Sequence, residues 1–212
     1  MTFEDAFYHT PHRRSIKFPH YLPLYERYLH PFQGATVTAL EIGVGDGGFL
    51  QVLQTYLGPQ ARVLGLDCSG PSDETVMHGR QEEAETLARV KDAAPTLSIV
   101  IDDGSHQSAH QRASFETLFP HLQSPGVYLV EDIQYSYSRK YTGYRHPESF
   151  SEYLKGLGDE LNAMLVDPPE DLRPTEFTRT GYGVHWYPNL VVIEKSRHDL
   201  RSPVHVGQRD VH

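Results

Sequence analysis

Apolar runs alternate with apolar stripes along most of this chain. Thr36 to Gly43, Arg62 to Asp67, Leu97 to Ile101 and Val127 to Val130 are short, largely continuous apolar segments bounded by polar or turn residues, and each reads as a buried strand. Between them the spacing is helical. Tyr21, Leu24, Tyr25, Tyr28 and Leu29 follow one amphipathic stripe, Phe49, Leu50, Leu53, Tyr56 and Leu57 another, and Ala84, Leu87 and Ala88 a shorter one. Phe115, Leu118, Phe119 and Leu122 form a fourth. Strands that are apolar on both faces and separated by helices predict a parallel sheet covered on both sides, an α/β fold.

The ends depart from this rhythm. Residues 1 to 19 mix His, Arg and Pro without periodicity. Past Gln134 a polar stretch carries Tyr135, Tyr137, Tyr141 and Tyr144 among Arg139, Lys140, Arg145 and His146, and predicts a loop or lid. Phe150, Tyr153, Leu154, Leu157, Leu161 and Leu165 then predict a long helix, whose stripe would serve a homodimer interface or sheet packing equally well. From Thr175 to Lys195, two strand-like runs flank Tyr187-Pro188-Asn189 and predict an antiparallel hairpin closing the sheet. Residues 1–196 are expected to form one domain, followed by a polar tail at 197–212.

Composition narrows the function classes. A formal charge of -9 argues against broad nucleic-acid binding, because neutralising phosphates takes clustered Lys and Arg. Cys68 is the sole cysteine, so no intramolecular disulfide is available and a reducing compartment is expected. No long apolar stretch or cleavable leader is seen at the start, and the expectation is a cytoplasmic protein with no membrane partner.

Chemistry gathers at the ends of the predicted strands, where open α/β sheets place their sites. Gly43, Gly45 and Gly48, between the first strand and its helix, satisfy the G-x-G-x-x-G pattern, and Asp67 ends the next strand as a ribose acid would. The acidic Glu41 before the first glycine makes the loop resemble motif I of the class I methyltransferases, whose glycine loop passes S-adenosylmethionine. Two acidic clusters follow, Asp102-Asp103 and Glu131-Asp132. Such neighbouring carboxylates repel one another at pH 7 unless a cation or proton sits between them. Hard oxygen donors favour Mg²⁺ or Mn²⁺, and an H-x₃-H zinc pair of His106 and His110 is disfavoured because no thiolate or third histidine stands at suitable spacing. A metal held here would acidify an alcohol, and His106, with an imidazole's ordinary pKa of about 6.5, would take its proton.

The segments LEIGVGDGG, VLGLD, VIDDGSH, SFETLFPHL, GVYLVEDIQ and VHWYPNLVVIEK together resemble the metal-dependent sugar O-methyltransferases of macrolide tailoring, among them the mycinamicin and macrocin deoxysugar enzymes. The likeness runs from about Ser15 through Lys195. It implies a Rossmann-like class I methyltransferase with a mostly parallel seven-stranded sheet and a C-terminal antiparallel hairpin. It further implies Asp103, Glu131 and Asp132 as metal ligands and His106 as general base. Ser15, Glu41, Gly43, Gly45, Asp67 and Asp102 would line the cofactor, with Gln81 on the adenine side. The family's Gly-Asp-Gln segment reads Gly79-Arg80-Gln81 here, and the resemblance is expected to leave out the N-terminal auxiliary domain of the larger enzymes. The compact form is also similar to mycobacterial methyltransferases of methylmannose polysaccharides.

The implied reaction is methyl transfer to one hydroxyl of a sugar diol. Tyr135, Tyr137, Tyr144, Arg145 and His146 are candidates to meet the sugar. A catechol-type O-methyltransferase, an NAD-dependent oxidoreductase and a non-catalytic binding protein of the same fold remain open on the sequence alone.

Overall fold

A computed structural model describes residues 1–165 and 172–196; the predicted polar tail lies outside the described residues. Strands β1 (Thr38–Ile42), β2 (Arg62–Asp67), β3 (Val76–His78), β4 (Leu97–Asp102), β5 (Gly126–Glu131), β6 (Gly181–Tyr187) and β7 (Leu190–Lys195) form one seven-stranded sheet in the order β3-β2-β1-β4-β5-β7-β6. β7 runs antiparallel to both of its neighbours, and the other pairings are parallel. All four predicted parallel strands and the closing hairpin are present. The order reverses at β1, between β2 and β4, which opens a crevice at the carboxyl ends of these strands.

Side-chain alternation sorts the sheet into two core layers. Ala39, Ile99, Ile101, Val127 and Leu129 pack with Phe3, Tyr25, Phe49 and Leu53 on one face. Leu40, Ile42, Val100, Tyr128 and Val130 pack with Leu87, Phe115, Leu118 and Leu154 on the other. The first face carries α1 (Phe3–His9), α2 (Leu22–Leu29) and α3 (Gly48–Leu57). The second carries α4 (Ala84–Ala93), α5 (Ser108–Leu118), α6 (Phe150–Glu160) and α7 (Glu176–Thr180).

Three short elements depart from the sequence reading. α1 stands in a stretch without periodicity; two turns are too few to show a stripe, but Thr2 and Asp5 make a reciprocal capping box and Phe3 and Ala6 are buried. β3 is a three-residue edge strand, and α7 occupies the start of the first predicted hairpin run. α6 is shorter than its stripe suggests: it ends at Glu160, and Leu165 is exposed. Phe150, Leu154 and Leu157 are consumed by the second core layer. Among the described residues no helix is long and apolar enough to cross a membrane.

Candidate active site

The glycine loop is shaped by contact with the end of β4. Gly43 has φ +86°, and a Cβ there would fall 2.1 Å from the Asp103 carbonyl oxygen, so no side chain can be carried at this point. Asp103 in turn donates its backbone N–H to the Ile42 carbonyl at 2.9 Å, extending the β1–β4 ladder past the strand. Asp67, at the end of β2, accepts from the backbone N–H of Val44 at 2.8 Å and of Gly45 at 3.1 Å through one oxygen, and from Ser69 through the other. The loop is therefore pinned from both adjacent strands.

Two clefts open over this loop and share Gly43, Asp67 and Gly104 as their common wall. The larger, about 400 Å³, is lined by Ser15, Lys17, Glu41, Phe49, Asp103 and His106 among others. The smaller, about 190 Å³, is lined by Leu66, Cys68, Gln81, Ser105 and His110. Of the predicted cofactor residues, Ser15, Glu41, Gly43, Gly45 and Asp67 face the larger cleft and Gln81 the smaller. The Ser15 hydroxyl and Glu41 Oε2 are buried without a hydrogen-bond partner in the protein.

Asp102 and Asp103 separate by strand parity. Asp102 shares the face of Leu40 and Val100 and is fully buried, accepting from Ser114 at 2.9 Å, from the Gln81 amide at 3.1 Å and from the Tyr128 hydroxyl at 3.1 Å. Burial raises the Asp102 pKa, and these donors oppose the rise. Asp102 lines neither cleft; it holds Gln81, whose Oε1 accepts from the Ser105 N–H at 2.7 Å. Asp103 points to the opposite face, where Glu41 and Glu131 already lie.

On that face the charges converge on a lysine. The Lys17 ammonium lies 2.7 Å from Asp103, 2.9 Å from Glu131 and 3.7 Å from Glu41, and 4.2 Å from the centre of the Phe49 ring. Burial lowers the Lys17 pKa, but the charges of Glu131, Asp103 and Glu41 outweigh burial and hold it well above the usual lysine range. Burial pushes Glu41 up to about 8 and Glu131 up to about 7, with Lys17 opposing in both cases. Three carboxylates around one ammonium leave a surplus of negative charge, so the lysine stays charged and a carboxylate takes up the proton. The Tyr25 hydroxyl also donates to Glu131.

The remaining acids and the histidine meet beside this cluster. Asp132 has φ 53°, in the left-handed region, and His106 has φ 57°. The His106 Nε2 lies 4.0 Å from Asp103 Oδ1 and 4.0 Å from Asp132 Oδ2, and ligand atoms of all three residues lie within 4.8 Å of one another. Glu131 is outside that trio, tied instead to Lys17 and Tyr25. The His106 ring stacks on Tyr135 at 4.9 Å and 18°. Of the other predicted sugar contacts, Tyr137 and Tyr144 stack on each other, with Arg145 over Tyr144 and Lys155 of α6 near Tyr137, and His146 is exposed.

Residues that the sequence reading did not assign to the site are Lys17, Tyr21, Tyr25 and Asn189. Lys17 stands two residues after Ser15, whereas Tyr21 and Tyr25 register in the sequence only as apolar positions of a helix stripe.

No protein-family model matches the chain. It is 34% identical over 195 residues to the mycinamicin VI 2''-O-methyltransferase of Micromonospora griseorubida, with 84% of this chain and 49% of that protein covered. It is 35% identical over 193 residues to the 8-demethyl-8-(2-methoxy-alpha-L-rhamnosyl)-tetracenomycin-C 3'-O-methyltransferase of Streptomyces olivaceus, with 84% and 49% covered. The curated relatives it matches are all named as O-methyltransferases. The chain spans about half the length of the curated relatives it matches. The solved structure of the MycE methyltransferase from the mycinamycin biosynthetic pathway, in complex with Mg and SAH, superposes with a TM-score of 0.80 at 32% identity, covering 87% of this chain and 52% of that one. The mostly parallel seven-stranded sheet with its antiparallel C-terminal hairpin thus matches the fold of the MycE methyltransferase over the part that is covered.

Proposed function

We propose that this chain is an S-adenosylmethionine-dependent, Mg²⁺-dependent O-methyltransferase that acts on a sugar hydroxyl. The observation that carries the reading is the meeting of Asp103, His106 and Asp132, of which Asp103 and His106 line the glycine-loop cleft. The support from relatives is direct: one solved MycE structure, 31% identical to this chain, holds Mg, SAH and mycinamycin VI together.

The residues fit both groups. A cleft of about 400 Å³ with a floor that only glycine tolerates, and with the Ser15 hydroxyl and Glu41 Oε2 buried and unpartnered, suits a polar, cationic amino-acid moiety. Asp103 and Asp132 offer hard oxygen donors for a divalent cation, whereas Glu131 is engaged by Lys17 and Tyr25. Such a cation supplies Lewis acidity, lowering the pKa of a bound alcohol.

The chain's own residues do the rest. His106 Nε2 faces the same space as the two aspartates and takes the proton of the acceptor hydroxyl, while Tyr135 fixes the plane of its ring. The Tyr135 and Tyr141 rings, 4.6 Å apart, offer an apolar surface against which a sugar face can lie. Named relatives methylate rhamnosyl and olivosyl groups, which makes a deoxysugar diol the acceptor of choice.

A radiolabelled methyl-transfer screen tests the reading. Transfer to deoxysugar or mannoside acceptors that requires Mg²⁺ and stops with EDTA is expected. Transfer confined to catechols, or metal-independent transfer, would overturn it; calorimetric binding of NAD in place of S-adenosylhomocysteine would overturn the cofactor.

A further inference from the structure

Asp132 is gripped by one of its oxygens. Oδ1 accepts the Asn189 side-chain amide at 2.7 Å and the Tyr21 hydroxyl at 3.1 Å, whereas Oδ2 faces His106. Tyr21 has one hydroxyl hydrogen and lies 2.8 Å from the Asn189 carbonyl as well, so its hydrogen is divided between two acceptors. Asn189 is the firmer hold.

Asn189 is itself held through its side-chain oxygen and its carbonyl. Its Oδ1 accepts from the Gln134 N–H at 3.0 Å, and its carbonyl accepts from Tyr21 and, at 3.4 Å, from the Ile133 N–H. Its φ of 63° suits asparagine, which tolerates the left-handed region. Strand register brings it there: β7 pairs antiparallel with β5 so that Leu190 stands opposite Glu131, which delivers the Pro188-Asn189 turn to the very residue that follows the strand.

We propose that Asn189, assisted by Tyr21, is a positioning residue for Asp132, so that the β6–β7 turn is a working part of the metal site; this rests on the metal reading above. With Oδ1 occupied by donors, Asp132 presents Oδ2 alone. A single-oxygen ligand suits Mg²⁺, whose small octahedral shell is poorly served by a bidentate carboxylate.

The experiment is Mn²⁺ binding to the whole chain, read by electron paramagnetic resonance, in the wild type, Asn189→Gly, Tyr21→Phe and Asp132→Asn, with calorimetric S-adenosylhomocysteine affinity measured alongside. Glycine keeps the positive φ and removes only the amide. Asn189→Gly is expected to weaken Mn²⁺ about tenfold or more and Tyr21→Phe by less, both with unchanged S-adenosylhomocysteine affinity. Equal Mn²⁺ affinity in the wild type and both variants would overturn the positioning role and leave the metal site standing. Mn²⁺ binding that is absent from the wild type, or untouched by Asp132→Asn, would overturn both. If Asn189→Gly fails to fold, Asn189→Asp, which tolerates the left-handed region and keeps the Oδ1 acceptor but carries no amide N–H, takes its place with the same two outcomes.

Discussion

Lys17 holds its ammonium 2.7 Å from Asp103, across 86 residues of sequence, and nearly all of its side chain is buried. This pair ties the segment before α2 to the end of β4, and both residues line the larger cleft. Removing the cation leaves Glu41, Asp103 and Glu131 facing one another in a buried site. Lys17→Met should therefore destabilise the protein by about 3–5 kcal/mol, read as a loss in urea-unfolding free energy. An unchanged free energy would show that the lysine does not neutralise the cluster.

The same cluster sets a pH dependence. Glu41 titrates at about 8 and Glu131 at about 7 in the folded chain, each raised first by burial and opposed by Lys17, against an ordinary glutamate value of 4.5. Between those limits the folded state binds more protons than the unfolded one, so stability falls as pH rises. The contribution is complete below about pH 4.5 and lost as pH passes through 7 to 8. Metal-free protein should thus be less stable at pH 8.5 than at pH 5.5 by an amount on the order of a few kcal/mol, and Glu41→Gln should flatten the profile. A profile of equal slope in the variant would assign the effect elsewhere.

His106→Ala should lower methyl transfer about 10²–10⁴-fold, the range for loss of a general base, while leaving S-adenosylhomocysteine affinity close to that of the wild type. Single-turnover rates and calorimetry separate the two. Full turnover in the variant would remove His106 from the proton transfer.

Gly43→Ala should abolish cofactor binding. The added methyl would stand 2.1 Å from the Asp103 carbonyl, at a φ of +86° that alanine also disfavours. Both the loop and the end of β4 would have to move. Calorimetric S-adenosylhomocysteine affinity is the readout, and wild-type affinity would show that the loop yields.

Much of the fold was legible because strands buried on both faces and helices buried on one leave different periodicities. The elements that escaped, α1, β3 and α7, are too short to display a period. Strand parity also separates Asp102 from Asp103: Asp102 falls in step with Val100 and Tyr128, and Asp103 with Ile99 and Ile101. Reading it required knowing which helices cover which face, a long-range fact. Lys17, Tyr21, Tyr25 and Asn189 were hidden for a related reason. Each acts through one polar atom that meets a strand end more than 50 residues away, and no local pattern marks such a meeting. Tyr25 in particular serves the core with its ring and Glu131 with its hydroxyl.

The antiparallel insertion of β7 between β5 and β6 has a consequence for the order in which the site comes into being. The glycine loop, Asp67 and their clefts are built from the first half of the chain, whereas Asp132 acquires its Asn189 partner only when the last two strands have docked. On a ribosome, the two clefts over the glycine loop can take shape while Asp132 still lacks its brace. Completion of the site is thereby a report that synthesis has run through β7, and a chain trimmed ahead of the hairpin would lose an inner wall along with its edge.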